Sequence, residues 1–112
     1  MDTLTNIGTA YDTTAASKGL GFTDYDLTGV TSLVFTVRQS RVGSGTVSWQ
    51  LWNETDSSQV AVVSTAVSGD SYLTTTVALA LTGIKRLRVR AKSTVSTDDP
   101  LYYGCAIRLI RG

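Results

Sequence analysis

The 112-residue sequence contains no histidine, which removes the commonest general base and the usual zinc ligand. A Ser–His–Asp or Cys–His catalytic site therefore cannot form within one chain. The only cysteine, Cys105, has no partner for an internal disulfide, so the chain is not a small disulfide-stapled scaffold. We expect Cys105 to be a small buried residue of the last strand rather than a nucleophile.

An excess of one charge and long apolar runs are missing as well. Ten basic and nine acidic residues leave a formal net charge of +1, so the molecule as a whole has no strong field that would attract nucleic acid or a membrane. No apolar run approaches the roughly 20 residues that a membrane-spanning helix needs. The first residues contain neither a basic nor an apolar segment, so we expect no signal peptide.

Threonine, serine and valine dominate the composition, with 18, 12 and 12 residues, and hydrophobic residues make up 42%. Threonine and valine are β-branched and suit a pleated, half-buried surface, and the apolar fraction is sufficient for a core. A chain of this length fits one domain, 1–112, and no helical period of useful length is present. The composition therefore predicts a single all-β domain.

Segments with the signals of β-strands recur at short intervals, with turn residues between them. These segments are 4–9, 30–39, 46–53, 59–67, 72–81, 84–93 and 101–110. Alternation of polarity indicates that each strand has one solvent-exposed and one buried face. The sheets should therefore be antiparallel, with their apolar faces packed together. We predict an antiparallel two-sheet β-sandwich, jelly-roll-like, with about seven or eight strands. In the last strand the alternation places Tyr103, Cys105, Ile107 and Leu109 inward.

The segment 10–26 is rich in small residues and only weakly periodic. Loops of this length in compact domains are usually functional or partly disordered. We interpret 10–26 as an extended arm or long loop that either covers one end of the sandwich or reaches a neighbouring chain. Leu20 and Phe22 would anchor it in both cases.

The pattern Leu-Thr-Gly followed by valine or isoleucine occurs twice, at 27–30 and at 81–84. The physical interpretation is a glycine turn, then an aliphatic plug, then a half-buried strand. Internal pseudo-symmetry would explain the repeat. A simpler explanation is that the turns and strands of any β-sandwich repeat such a sequence pattern, and we favour that explanation.

Paired carboxylates, which glycosidase chemistry or calcium binding would need, occur only in predicted loops and turns. The pairs are Asp24 with Asp26, Glu54 with Asp56, and Asp98 with Asp99. Aspartate is expected at such positions for local hydrogen bonding, and no EF-hand, phosphate-loop or dinucleotide motif is present. We predict a protein that is not an enzyme and has no cofactor and no metal site, and we leave a structural calcium ion open.

A positive stripe is the sharpest charge feature of the sequence: Lys85, Arg86, Arg88, Arg90 and Lys92. The last four alternate, so they line one face of one strand. The stripe could be a solvated face paired with acidic residues, a contact with an acidic patch of another copy or of a shell protein, or a phosphate-binding surface. We favour the first two, because no aromatic residue interleaves with the stripe along the strand.

Two aromatic residues, Trp52 and Tyr102, are predicted on outer faces by their parity. An exposed aromatic side chain among polar neighbours can anchor a protein interface or stack on a sugar ring. The complete set of predicted interface residues is Leu20, Phe22, Trp52, Arg86, Arg88, Arg90, Lys92 and Tyr102.

The short Thr/Ser/Val/Gly-rich chain, its polar beginning and the stretch Asp-Leu-Thr-Gly-Val-Thr-Ser-Leu at 26–33 resemble the small β-sandwich virion structural proteins of tailed bacteriophages. The resemblance is to their capsid decoration (cement) and tail-accessory class. It implies a virion protein assembled in the host cytoplasm that contacts itself, as a homotrimer, and a shell or tail protein. The same stretch occurs in carbohydrate-binding jelly rolls, so the alternative is a glycan-binding module with Trp52 and Tyr102 as stacking residues. Neither a membrane nor nucleic acid is expected as a partner.

Overall fold

The structure is a computed structural model that describes residues 2–3, 11, 22–95 and 97–112. Its strands are β1 (Asp2–Thr3), β2 (Phe22–Asp26), β3 (Val30–Arg41), β4 (Val47–Asn53), β5 (Ser58–Thr65), β6 (Gly69–Ala78), β7 (Ile84–Ser93) and β8 (Leu101–Arg111). No helix that is long and apolar enough to cross a membrane occurs in this part of the chain. The prediction of an all-β fold is confirmed.

The strands form two antiparallel four-stranded sheets that pack face to face. The first sheet has the order β1-β8-β3-β6, and the second sheet has the order β2-β7-β4-β5. The pairs are nested along the chain: β4 with β5, β3 with β6, β2 with β7 and β1 with β8. Such nesting is that of one long hairpin rolled up into two sheets, which is the jelly-roll arrangement. The predicted jelly-roll sandwich is therefore confirmed.

The core lies between the two sheets and is built by the residues that the alternation placed inward. Three residues each come from β3, β4 and β7: Leu33, Phe35, Val37, Val47, Trp49, Leu51, Leu87, Val89 and Ala91. All nine are buried, and Trp49 is the largest of them. Each large aliphatic side chain buried in this way contributes about 1.5–3 kcal/mol relative to exposure.

The two Leu-Thr-Gly turns of the sequence contact each other at one end of the sandwich. The amide of Leu27 donates to the carbonyl oxygen of Gly83 at 2.9 Å. Gly29 and Gly83 both have positive φ, +78° and +83°, which a residue with a side chain adopts only with strain. The aliphatic residue that follows is buried in the first turn (Val30) but 69% exposed in the second (Ile84), so only Val30 is a plug.

The last strand departs from strict alternation at a β-bulge. Its register against β3 passes from Gly104 directly to Tyr102, so Tyr103 is an extra residue, and Gly104 has φ of +139°. The bulge reverses the parity beyond it. Tyr102 therefore points inward, is only 7% exposed, and stacks on Trp49 with ring centroids 5.4 Å apart. The prediction of an outward Tyr102 and an inward Tyr103 is wrong, because one inserted residue moves every following side chain to the other face.

Cys105 keeps its predicted parity, since it pairs with Val37 of the core and shares a face of β8 with Ile107. It is nevertheless exposed, so the prediction that it is buried is wrong. Among the described residues, β1 pairs with β8 only at Leu101 and Tyr102. Beyond these pairs no described strand covers that edge of β8 beside Cys105.

The predicted arm is described only in part. Within 10–26 the structure describes Tyr11 and strand β2, which pairs with β7 along its whole length. The end of the arm is thus an edge strand of the second sheet. The predicted anchor Leu20 and the predicted strand 4–9 lie outside the described residues.

Candidate functional site

The positive stripe lies on the outer face of the second sheet, as the alternation predicted. Leu87 and Val89 of β7 are buried in the core, so Arg86, Arg88 and Arg90 between and beside them project from the opposite face. Lys92 continues this row toward the end of the strand. We call this surface, together with its neighbours on β2 and β4, the basic-aromatic face.

Aromatic rings from the neighbouring strands lie against these cations. The guanidinium carbon of Arg86 is 4.1 Å from the ring centroid of Phe22 on β2. That of Arg90 is 4.0 Å from the ring of Trp52 on β4. Cation–π contacts of this kind contribute about 0.5–1 kcal/mol at exposed sites. The lack of aromatic residues along β7 was therefore a misleading argument against an aromatic surface. The aromatic rings lie between the cations because they come from the neighbouring strands and not from β7 itself.

Tyr11 extends the same row toward the end of β7. The Nζ atom of Lys92 lies 4.6 Å from its ring centroid, and the guanidinium carbon of Arg90 lies 5.5 Å from it. Partial burial raises the pKa of Tyr11, although a hydrogen bond with Ser48 and the charge of Arg90 oppose that rise. Tyr11 was not among the predicted interface residues, and no pattern around it marks it as part of the face.

Among the described residues, carboxylates on the same face pair with Arg86 and with Arg88. Arg86 Nε is 3.0 Å from Asp24 Oδ1 on β2, and Arg88 pairs with Glu54, which follows β4. The hydrogen bond from Arg86 holds the pKa of Asp24 below its ordinary value. Since Arg86 and Asp24 are both about half exposed, solvent screens this pair, and its main effect is to orient the two side chains.

A row of amide side chains orients Arg90. Its Nε donates to Gln50 Oε1 at 2.9 Å, and Gln50 Nε2 donates in turn to Gln59 Oε1 at 2.9 Å. Gln50 is itself buried within the sheet surface. Arg90 is thus held between a hydrogen bond and the Trp52 ring, so it loses less conformational entropy on binding than a mobile arginine would.

Carboxylates of the three predicted pairs contact other groups of the protein. Asp26 accepts a hydrogen bond from the amide of Thr28 at 3.1 Å, and Asp56 accepts one from Asn53 Nδ2 at 2.9 Å. Asp98 is buried and binds the hairpin between β3 and β4. Among the described residues, no three acidic or cysteine side chains are grouped so that they could hold a metal ion.

The structure brings together six of the eight predicted interface residues: Phe22, Trp52, Arg86, Arg88, Arg90 and Lys92. Tyr102 does not belong to the face because it is buried. Asp24 and Gln50 were missed as members of the face, and the sequence Phe-Thr-Asp-Tyr-Asp at 22–26 does not alternate cleanly enough to mark β2 as a strand beside the stripe.

No protein-family model matches this chain, and no curated protein matches it significantly. The functional argument therefore depends on the geometry of the surface. The basic-aromatic face is a sheet surface of preorganised cations and rings.

Proposed function

We propose that the protein is a non-enzymatic virion structural protein, a bacteriophage capsid decoration (cement) or tail-accessory subunit assembled in the host cytoplasm. The observation that carries this proposal is the basic-aromatic face. Arginine, tryptophan, tyrosine and phenylalanine are the side chains that are enriched at protein interfaces, and arginine, tryptophan and tyrosine dominate their binding energy. The jelly-roll fold agrees with it, since viral capsid domains use this fold, although lectins do so too.

The partner that fits the face is an acidic surface of a shell or tail protein. Among the described residues, the face carries the cations Arg86, Arg88, Arg90 and Lys92 and the carboxylates Asp24 and Glu54, so this described part is net positive. Lys92 has no carboxylate within ion-pair distance among the described residues. The guanidinium group of arginine binds a carboxylate through two parallel hydrogen bonds. Complementary charge also selects the partner and speeds association.

The double substitution Arg90→Gln and Trp52→Ala should weaken binding to DNA-free heads or tails of the phage that encodes the chain. We expect a loss of about tenfold or more, or at least about 1.4 kcal/mol, because it removes one arginine and one tryptophan anchor. Co-sedimentation over a range of protein concentrations measures this loss. Arg108→Gln is the matched control, since it removes the same charge from the outer face of the other sheet.

Three results would contradict the proposal. Wild-type protein could fail to pellet with either particle, or it could pellet only when DNA is present. An equal loss on Arg108→Gln would show that total charge, and not the basic-aromatic face, governs binding.

We propose a homotrimer whose subunits contact each other through the edge of β6 with which no described strand pairs. This edge strand pairs with β3 over ten residues without a bulge, and residues 71–78 contain no charge and no proline. Edge strands that stay unpaired are usually protected by a bulge, by charged side chains or by proline. The lack of these features in residues 71–78 therefore favours pairing with another subunit. The edge strand β5 of the second sheet differs, because a register shift at Leu51–Trp52 interrupts its pairing with β4. If the β6 edge of each subunit docks on a different surface of the next copy, the subunits can close into a ring.

Thr76→Lys should convert the trimer into a monomer without unfolding it. Thr76 is exposed on β6, and a lysine there places a charge on the uncharged edge. Native mass spectrometry gives the subunit count of each form, and thermal unfolding checks the fold. Thr82→Lys, at an exposed turn position away from that edge, should leave the trimer intact. A wild-type protein that remains monomeric at high concentration would rule out the trimer.

The alternative function, glycan binding through Trp52 and Tyr102, lacks support at these two residues. Tyr102 is buried in the core, and the guanidinium of Arg90 covers the Trp52 ring at 4.0 Å. A sugar would have to displace Arg90 from that ring face. Neither side chain therefore offers a ready stacking surface.

A further inference from the structure

The outer face of the first sheet, on the opposite side of the sandwich from the basic-aromatic face, contains a groove of about 250 Å³. Thr36 and Arg38 of β3 line its middle. Tyr72 of β6 lines it on one side, and Tyr103 and Gly104 of β8 line it on the other. The bulge in β8 is thus located at this groove.

The bulge directs Tyr103 across the groove. Its hydroxyl group donates to Asp70 Oδ1 on β6 at 3.1 Å, so the side chain reaches from β8 over β3. Gly104 lacks a side chain, and the space that a Cβ atom would enter there is empty to 4 Å. Bulges often redirect a side chain beside a functional site. Here the bulge places an aromatic ring over a groove that Gly104 leaves open.

Arg38 provides the charge of the groove. Its guanidinium carbon lies 4.9 Å from the Tyr103 ring centroid and 5.8 Å from that of Tyr72. No carboxylate of the described residues lies within ion-pair distance of Arg38, in contrast to Arg86 and Arg88 on the other face. The two rings hold the guanidinium in place while its N–H donors stay available to a ligand with a carboxylate.

Hydroxyl groups and an exposed ring complete the lining. Thr36 and Thr74 share a hydrogen bond between their hydroxyl oxygens at 2.9 Å. Tyr72 is 70% exposed, so its ring face is open to an apolar surface. The volume is slightly below the 300–1,000 Å³ that drug-sized ligands occupy, so the groove has room for about one ring. A ring with hydroxyls, an apolar C–H face and a carboxylate matches each of these features.

We propose that this groove binds an acidic sugar, a pyranose ring that carries a carboxylate. Arg38 binds the carboxylate, Tyr72 stacks on the C–H face of the ring, and Thr36 bonds to the ring hydroxyls. This site is independent of the proposed particle contact, because the two lie on opposite faces of the sandwich. A particle-bound subunit would thus present the groove outward to acidic glycans.

The test is titration of the full-length protein with three acidic oligosaccharides: trigalacturonate, a glucuronate-containing disaccharide and sialyllactose. We expect saturable binding of at least one of them, measured by calorimetry or by saturation-transfer NMR. Arg38→Gln and Tyr72→Ala should each weaken that binding about tenfold or more, and Arg108→Gln should leave it unchanged. For trigalacturonate, the methyl ester is the matched neutral ligand, and it should bind about tenfold more weakly or worse.

Several outcomes would overturn the acidic-sugar site. They are the absence of saturable binding to all three sugars, equal binding of the methyl ester, and equal binding by a folded Arg38→Gln variant. A glutamate-rich peptide that binds the groove as tightly as the sugars would assign it to protein carboxylates instead. The Arg90→Gln and Trp52→Ala variant should bind sugar like wild type, so failure of the particle contact and failure of this site are distinguishable.

Discussion

Replacing Asp98 by asparagine should lower the free energy of unfolding by about 3 kcal/mol, a large effect for a single substitution. Asp98 is only 4% exposed, and its carboxylate accepts three hydrogen bonds. The donors are the amides of Ser44 (3.2 Å) and Gly45 (3.0 Å) and the hydroxyl of Ser93 (2.6 Å). An asparagine of the same shape loses the charge and turns an N–H group toward at least one of these donors. Each lost or opposed bond to a buried charged group costs about 1.5–3 kcal/mol, partly offset by relaxation.

The turn between β3 and β4 leaves no room for side chains at the two glycines beside the Asp98 carboxylate. A Cβ atom at Gly43 would lie 2.0 Å from Asp98 Oδ1, and one at Gly45 would lie 2.6 Å from the hydroxyl of Ser93. Urea unfolding followed by tryptophan fluorescence measures the loss of stability. The control is Asp70→Asn on the exposed face of β6, which should change stability by less than about 0.5 kcal/mol. Equal effects of the two substitutions would contradict the structural role of Asp98.

The same contacts make stability depend on pH. The hydrogen bond from Ser93, aided by the amides of Gly45 and Ser44, holds the pKa of Asp98 below its ordinary value despite partial desolvation. A carboxyl group whose pKa is lowered by folding stabilises the protein fully above its unfolded-state pKa of about 3.9. That stabilisation is lost as the pH falls through the lower folded-state value. Unfolding free energies measured from pH 6 to pH 2 should therefore fall less steeply in Asp98→Asn than in wild type.

Tyr102→Ala should destabilise the fold by about 3–4 kcal/mol, because it empties a buried site beside the largest core residue. The Tyr102 ring stacks on Trp49 at 5.4 Å with an interplanar angle of 29°. Trp49 Nε1 in turn donates to Gln39 Oε1 at 3.3 Å, and Gln39 Nε2 donates to Ser71 at 2.8 Å. Loss of the ring therefore loosens both the packing and the position of a buried hydrogen-bond chain.

The neighbouring residue supplies the control for this prediction. Tyr103 lies on the outer face of the same strand, so Tyr103→Ala should cost clearly less stability in the same urea experiment. Tyr102 and Tyr103 are consecutive residues of one type, and the β-bulge alone decides which of them is buried. If Tyr103→Ala were the more destabilising substitution, Tyr103 would be the buried residue, and the assignment of a bulge at this position would be contradicted.

The sequence alone predicts six of the described strands, β3 to β8, and the facing of most of their residues. Alternation of polarity is a local signal, because successive side chains of a strand point to opposite faces. It correctly placed Phe35 and Trp49 in the core and Arg88 and Arg90 on an outer face. The same signal, with the turn residues between strands, was enough to predict a jelly-roll sandwich.

The composition of the site and the place where alternation fails both depend on the pairing of strands in the folded protein. Arg86 meets Phe22 and Arg90 meets Trp52 through the order β2-β7-β4, and that order depends on contacts between distant parts of the chain. The bulge that buries Tyr102 is likewise defined only by the pairing of β8 with β3, since no residue of β8 is extra until a partner strand sets the register.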